Sequence, residues 1–392
     1  MTRSEVIVIG AAHSGLLRLR EFSPAHIRAA LARSAPTMVG VESNPVWFAA
    51  DLFFSVTYEC QGVAIPWAVE KNLPVYGVDW QDYDEILRDA QRRRRALGEG
   101  TKAWVTKEAL RKAGRTDCMR RKAAPTTFDA WNTPGAPLPA SPTETEDVAA
   151  LLEHRNTRIC EQCLVLLRRY RGSRLAVVIG ARHKPPLDGM LAEYDGVSVL
   201  QLTDLGGLSE EEIEASWSVR DALACLMAEL DSDGPYFYPE GVNTTWAHEL
   251  LEFASGRTDG AEITYLAARL LGVSGDVEAS QAMLQRIPQD ADGPTRHLVA
   301  GQWLQPLTIG QRARVEQGRL SEMASRAGQA REHYEAVLQM LDDKEPAPVS
   351  GGPHETCVDR IAACMDYLPR ARHARCKAVL ECLIRDQEQR AC

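Results

Sequence analysis

The chain has 392 residues, which is long enough for two domains that each bury a core of their own. Hydrophobic residues make up 45% of the chain and charged residues 25%, a composition typical of globular proteins. The formal net charge of −9 argues against nucleic acid as the main partner. Because no apolar stretch approaches the roughly 20 residues of a membrane span, we expect no membrane partner.

The amino terminus lacks the apolar core of a signal peptide, so we expect a cytoplasmic protein. Ten cysteines are spread over the chain, and in that compartment they favour reduced thiols over a disulfide framework. Cys160 and Cys163 have the spacing of a redox or zinc pair, but they fall within a predicted helix and no second pair of this kind follows. We interpret them as structural residues.

Short apolar strands alternate with helical patterns over the first half of the chain. Strands are predicted near 5–10, 36–41, 74–79, 175–180 and 197–202. Helices are predicted at about 24–33 and 146–171. This alternation predicts an α/β domain over residues 1–206, with a mostly parallel sheet and flanking helices.

A basic insertion near 88–142 separates the third and fourth predicted strands. It contains the consecutive arginines 92–95 and further lysines and arginines as far as Lys122. One interpretation is a solvated helix followed by a flexible loop. The other is an electropositive lid that attracts an anionic substrate.

Residues 207–392 are predicted to form an all-α domain. Two alanine-rich helix–turn–helix patterns, at 262–287 and 312–341, resemble tetratricopeptide repeats. Such repeats usually need about three or more units for stability, so segments near 243–257 and 357–385 would serve as degenerate repeats or caps. The domain would either present a concave surface to a protein or peptide partner, or brace the α/β domain.

Four predicted strands are followed by a side chain that can bind a metal or transfer a proton. His13 follows the first strand and His183 the fourth, each in a Gly-x-x-His sequence. Glu42 ends the second strand and Asp79 ends the third. Because the carboxyl ends of parallel strands lie at one edge of a sheet, these four side chains are predicted to share a site there.

The segments VIVIGAAHS, TMVGVES, VYGVDW, LEHRNTR and LAVVIGARHKPPLDGML, in this order, resemble the TraB/Tiki superfamily, which includes erythromycin-esterase-like and ChaN-like proteins. The resemblance covers roughly residues 4–205. Within the superfamily, Tiki-like proteins resemble metal-dependent peptidases, erythromycin-esterase-like proteins hydrolyse a lactone, and ChaN-like proteins are associated with haem. The resemblance implies a set of functional residues, namely His13, Glu42, Glu59, Arg155 and His183, with Asp79 a weaker match.

The chain departs from the superfamily pattern at Arg182-His183-Lys184, where a small neutral residue more often precedes the histidine. Two cations beside His183 are expected to lower the pKa of its imidazole and to weaken its affinity for a metal.

Two chemistries fit these residues. A divalent metal such as zinc, manganese, cobalt or iron could be bound, with open positions for water, by His13, Glu42 and His183. Without a metal, Glu42 or Glu59 would orient a histidine that activates water. Arg155 would then bind a substrate carboxylate or the developing oxyanion.

We therefore predict a hydrolase that cleaves an amide or ester bond in a peptide or a small natural product. One alternative is a peptide-tailoring enzyme of natural-product biosynthesis with non-hydrolytic chemistry. Another is a haem-binding or metal-binding protein without turnover. The number of carboxylates favours an enzyme, because haem ligation needs only one or two axial side chains.

Overall fold

A computed structural model describes residues 3–49, 57–80, 108, 112, 127–134, 146–231, 241–293, 306–342 and 357–391. Described residues between 3 and 80 and between 127 and 221 form one compact unit, and those from Ala222 onward belong to a second. The first unit is α/β and the second is helical in every described element. No helix within the described ranges is both long and apolar enough to cross a membrane.

A five-stranded, fully parallel sheet forms the centre of the first unit. Its strands are β1 (Ser4–Ala11), β2 (Met38–Val41), β3 (Val75–Gly77), β4 (Arg174–Gly180) and β5 (Val197–Val199). They are arranged in the order β3-β2-β4-β1-β5. The side chains of β1 and β4 are buried almost without interruption, because these two neighbouring strands occupy the middle of the sheet. The predicted α/β fold with a parallel sheet is confirmed.

The two helices predicted at about 24–33 and 146–171 lie close to their predicted positions, among the helices that accompany the sheet. They are α1 (Pro24–Ser34), α2 (Pro45–Ala49), α3 (Ile65–Glu70), α4 (Phe128–Asn132), α5 (Glu146–Arg169), α6 (Lys184–Ala192) and α7 (Glu210–Ala215), and α8 (Val219–Leu230) crosses the boundary between the units. Helix α1 begins where Ser23 forms a capping box and Pro24 supplies a favourable first residue. Glu59 begins a π-helical turn, Glu59–Ala64. Most of the basic insertion near 88–142 lies outside the described residues, and α4 falls within its carboxyl-terminal part.

Helix α5 packs an apolar face against the sheet. Ile159, Cys163 and Leu167 are buried in one core cluster with residues of β1 and β4. Cys160 also belongs to this cluster, and burial raises the pKa of its thiol to about 11. Burial likewise raises the pKa of the Cys163 thiol. Buried thiols of this kind are poor nucleophiles, which supports their interpretation as structural residues.

The first unit continues beyond Gly206, where the sequence analysis placed the end of the α/β domain, as far as Asp221. The Asp221 carboxylate is fully buried and accepts hydrogen bonds from Arg28 Nη2 at 2.9 Å and from the Tyr58 hydroxyl at 2.9 Å. Arg33 of α1 also forms an ion pair with Glu212 of α7. These contacts hold residues 207–221 against α1.

The second unit consists of helices that pack against their neighbours along the chain. Its helices are α9 (Thr244–Ser255), α10 (Ala261–Val273), α11 (Val277–Leu284), α12 (Ile309–Met323), α13 (Ala327–Asp342) and α14 (Cys357–Ala391). Gly275 and Ser325, both with positive φ, lie in the short turns that join α10 to α11 and α12 to α13. Gly318 lets α12 approach the ring of Tyr334 on α13, since a Cβ there would lie 2.6 Å from the ring. The predicted helical region is confirmed, and its likeness to tetratricopeptide repeats stays a prediction.

Candidate active site at the sheet edge

The carboxyl ends of β1, β2 and β4 bring three predicted site residues together around Glu42. Glu42 directly follows β2, and its carboxylate is buried. The Nε2 atom of His13 lies 3.9 Å from Glu42 Oε2, and the Nε2 atom of His183 lies 3.8 Å from Glu42 Oε1. The two imidazoles therefore flank the two oxygens of one carboxylate.

The glycines of the two Gly-x-x-His sequences make this convergence sterically feasible. A Cβ at Gly180 would lie 2.7 Å from His13 Cε1 and even closer to Nε2, and a Cβ at Gly10 would lie 3.0 Å from Ala181 Cα. Each glycine therefore makes room for the loop that follows the neighbouring strand. Gly180 has φ −52° and ψ 134°, so space rather than backbone conformation requires a glycine there.

His13 occupies a left-handed backbone conformation, with φ 49°, immediately past β1. Its Nδ1 forms a 2.6 Å hydrogen bond with Oε1 of Glu59, whose side chain is fully buried in the π-helical turn. Burial lowers the pKa of His13, but the Glu59 hydrogen bond and the charges of Glu59 and Glu42 outweigh it and raise the pKa to about 9. The His13 side chain is 44% exposed, so a protonated imidazole faces solvent at the entrance to the site.

His183 has the opposite electrostatic character. Its side chain is only 5% exposed, and its Nδ1 forms a 2.5 Å hydrogen bond with Asn156 Oδ1. Burial, together with the charges of Arg155, His13 and Arg182, lowers its pKa to about 3. Since an amide oxygen only accepts, Nδ1 carries the proton of the neutral ring and Nε2 presents a lone pair toward Glu42.

Of the two cations beside His183, Arg182 alone lowers the pKa of its imidazole. Lys184 Nζ lies among other partners, the Val8 carbonyl at 3.0 Å, Asp188 Oδ2 at 2.9 Å and Gln201 Oε1 at 2.8 Å. It therefore supports the packing of α6 on β1.

The Glu42 carboxylate is held by donors on both oxygens. The Gly180 backbone N–H donates to Oε2 at 2.6 Å, and Arg155 Nη2 donates to Oε1 at 2.8 Å. Burial raises the pKa of Glu42, and the Asp79 and Glu59 charges raise it further against the opposing effect of His13 and Arg155. Glu42 is thus a fixed acceptor between the two imidazoles.

Arg155 connects the predicted aspartate to this centre. Its Nε and Nη2 donate to the two oxygens of Asp79, each at 2.8 Å, and Nη2 also donates to Glu42. Such a paired contact fixes the plane of the guanidinium group. Nη1 makes no hydrogen bond to a described residue, so this end of Arg155 is open to a substrate anion.

Part of this cluster could instead bind a metal ion. His13, Glu42 and Glu59 each offer a ligand atom within 4.8 Å of the others, a set in which Glu59 takes the place that the sequence analysis gave to His183. One imidazole and two carboxylates suit zinc, manganese, cobalt or iron. In the structure, however, His13 Nδ1 is already bonded to Glu59, and both Glu42 oxygens accept hydrogen bonds.

Two asparagines that sequence reasoning did not select complete the site. Asn156 orients His183, and its only sequence signal is its position next to Arg155 in LEHRNTR. Asn132, buried at the end of α4, accepts from the Gly10 N–H at 2.8 Å and donates to the Gly10 carbonyl at 3.2 Å. No spacing rule connects Asn132 to a strand that lies more than a hundred residues earlier.

No family model, curated protein or solved structure matches this chain. The resemblance to the TraB/Tiki superfamily therefore stays a prediction that rests on the quoted segments.

Replacing Gly180 by alanine is expected to lower the free energy of unfolding by about 1–3 kcal/mol, because the new methyl group overlaps the His13 ring, which must move although Glu59 holds its Nδ1. Equilibrium urea unfolding measures this change. The matched control is Gly189→Ala on α6, where a Cβ meets nothing within 4 Å and alanine favours the helix. Equal stability of the two variants would contradict the role given to Gly180.

Proposed function

We propose that this chain is a hydrolase that cleaves an amide or ester bond with His183 as general base and His13 as general acid. The observation that carries the proposal is the placement of the two Nε2 atoms on either side of Glu42, at 3.8 and 3.9 Å. Two titratable groups whose surroundings drive their pKa values in opposite directions are a typical acid–base pair.

His183 is suited to activate water. Its Nδ1 proton is held by Asn156, so Nε2 can accept a proton while the oxygen of the water attacks the carbonyl carbon of the substrate. Burial keeps the imidazole unprotonated at neutral pH, so that Nε2 is free to accept a proton. Asn156 takes the orienting position that a carboxylate occupies in a Ser-His-Asp triad.

His13 is suited to protonate the leaving group. The Glu59 carboxylate holds its Nδ1 proton, and the proton on Nε2 passes to the departing nitrogen or oxygen when the carbonyl–heteroatom bond breaks. At the end of the cycle His183 has gained a proton and His13 has lost one, so one net proton transfer between them restores the starting state. Arg155 Nη1 would bind the oxyanion or a substrate carboxylate.

The substrate class follows from the predicted superfamily resemblance rather than from the geometry. A peptide or a small natural product fits the hydrolytic members of that superfamily. The same proposal includes a cytoplasmic location. It also includes a protein or peptide partner that binds the second unit. Non-hydrolytic tailoring of a peptide would use the same acid and base.

The pH dependence of hydrolysis tests the assignment of His13. In wild type, kcat/KM for an aminoacyl p-nitroanilide, whose nitrogen must be protonated to leave, is expected to fall as the pH rises through about 9, where His13 loses the proton that it donates. In Glu59→Gln this decline is expected at lower pH, because the amide oxygen can still accept from Nδ1 but the charge that raises the pKa is gone, while burial and Arg155 still lower it.

The control is Glu70→Gln, which removes an exposed carboxylate at the end of α3 and should leave the profile unchanged. A panel of p-nitrophenyl esters and aminoacyl p-nitroanilides serves as substrate. No hydrolysis of any member by wild type, or identical pH profiles for wild type and Glu59→Gln, would contradict the proposal.

A metal-dependent hydrolase is the second candidate. Beyond the spacing of His13, Glu42 and Glu59, it is favoured by the second oxygen of Glu59, Oε2, which is buried and accepts no hydrogen bond from a described residue. A stoichiometric transition metal in the purified protein, and loss of hydrolysis after chelation, would favour this candidate over the metal-free one. A haem would be recognised by its visible absorption spectrum.

A further inference from the structure

We infer that the second unit binds an acidic peptide segment in a cavity between α11, α12 and α13. This cavity has a volume of about 520 Å³, within the usual range of ligand sites. It lies wholly among residues of the second unit and contains none of the residues of the sheet-edge site. The inference rests on the peptide partner proposed for the second unit, but it does not depend on the proposed hydrolysis, so each can fail without the other.

The cavity contains positive charge that the described protein leaves unpaired. Arg314 lines it and makes no ion pair or hydrogen bond with a described residue, and its Nε is buried. Arg326 also lines it and is bonded only to the neutral Gln281, at 3.2 Å. Arg326 is exposed, but the guanidinium of Arg314 is partly buried, and because such a group is costly without a counter-ion, an anionic group is the natural occupant.

Neighbouring groups are consistent with a positive potential. His333 lines the cavity with a buried Nδ1 that has no described partner. Burial lowers the pKa of His333, and the charges of Arg314 and Arg326 lower it further against the opposing effect of Glu332. Glu332 is the one acidic residue among the described lining, and it is exposed. The described lining therefore carries two positive charges, on Arg314 and Arg326, and one negative charge, on Glu332.

The neutral part of the lining fits a peptide. Five glutamines line the cavity, Gln281, Gln285, Gln289, Gln317 and Gln329. Each amide offers both a donor and an acceptor, the same pair that a peptide backbone presents. The described lining contains no phenylalanine, tyrosine or tryptophan on which a nucleobase could stack, which disfavours a nucleotide as the source of the anion.

The end of the cavity near Gly310 is built by close backbone packing. A Cβ at Gly310 would lie 2.6 Å from the Gln289 carbonyl carbon, and the Gly310 N–H donates to the Ala291 carbonyl at 3.0 Å. The first turn of α12 is fixed further by a capping box between Thr308 and Gln311. A side of the cavity is thus held in place before a ligand arrives, which reduces the entropy cost of binding.

Fluorescence anisotropy with the full chain tests the inference. The probe is a labelled, carboxyl-amidated peptide of eight alternating glutamate and alanine residues, and its counterpart has glutamine in place of glutamate. We expect wild type to bind the glutamate peptide at least about tenfold more tightly, since hydrogen bonds to charged groups are the strong ones. Arg314→Gln should remove most of this preference, and added salt should weaken it.

The matched control is Arg331→Gln, which removes an exposed arginine of α13 that pairs with Glu335 outside the cavity. This variant should keep the preference. The inference is overturned if wild type binds neither peptide or binds both equally, or if Arg331→Gln weakens binding as much as Arg314→Gln. Displacement of the probe by an equal concentration of free glutamate would assign the cavity to a small anion instead. Circular dichroism establishes that each variant is folded.

Discussion

His183→Gln is expected to lower kcat/KM for ester or amide hydrolysis by about 10²–10⁴-fold, the usual contribution of a positioned general base. Glutamine has no basic nitrogen, so water would no longer lose a proton to Nε2. Its amide can still donate a hydrogen bond to Asn156, which keeps a partner for a buried polar group. Loss of activity in a folded protein would therefore report on the proton transfer.

The control for this variant is His248→Gln, which changes an exposed histidine of α9 in the second unit. It should retain wild-type kcat/KM, and both variants should keep the far-ultraviolet circular dichroism of wild type. If His183→Gln retains more than a tenth of the wild-type kcat/KM, His183 is not the base.

Local sequence patterns were sufficient to predict the sheet and the edge at which its strands end. Continuous apolar runs identify β1 and β4, and the residue that follows a parallel strand must lie at its carboxyl edge whatever the rest of the chain does. His13, His183 and Glu42 follow from this rule because each depends on a single strand. Their grouping around one carboxylate agrees with the strand order, in which β4 lies between β1 and β2.

Other parts of the site depend on contacts between distant segments. The sequence does not show that Gly180 faces His13, because this requires the register that pairs Ala11 with Gly180. The same holds for Asn132, which reaches Gly10 from α4. The same holds for Asp221, whose contacts with Arg28 and Tyr58 join segments far apart in the chain and form only in the folded unit.

The opposite pKa shifts of the two histidines also arise from tertiary structure. Both histidines follow a strand and a glycine, and the sequence gives them equivalent positions. What distinguishes them is the group bonded to Nδ1, a carboxylate for His13 and a neutral amide for His183, together with the greater exposure of His13. A symmetric sequence pattern thus produces an asymmetric pair suited to acid and base roles.

Asp231→Ala is expected to have the largest effect on the stability of the second unit. The Asp231 carboxylate is fully buried and pairs with Arg312 Nη1 at 2.9 Å and with Arg269 Nε at 3.3 Å. It also accepts a hydrogen bond from the Tyr265 hydroxyl at 2.7 Å. Removing it deprives two buried arginines of a shared counter-ion, and breaking such a pair usually costs about 3–5 kcal/mol.

Equilibrium urea unfolding of the full chain, followed by far-ultraviolet circular dichroism, measures this loss as a lower midpoint for the helical unit. Asp231→Asn should lose less stability, because its amide oxygen can still accept from Arg312 and its amide N–H can donate to the Tyr265 hydroxyl oxygen, although the charge is gone. The control is Asp259→Ala, at an exposed position before α10, which should change the free energy of unfolding by less than about 0.5 kcal/mol. If Asp231→Ala is as stable as this control, the buried arginines do not depend on Asp231, and apolar packing alone holds the helices together.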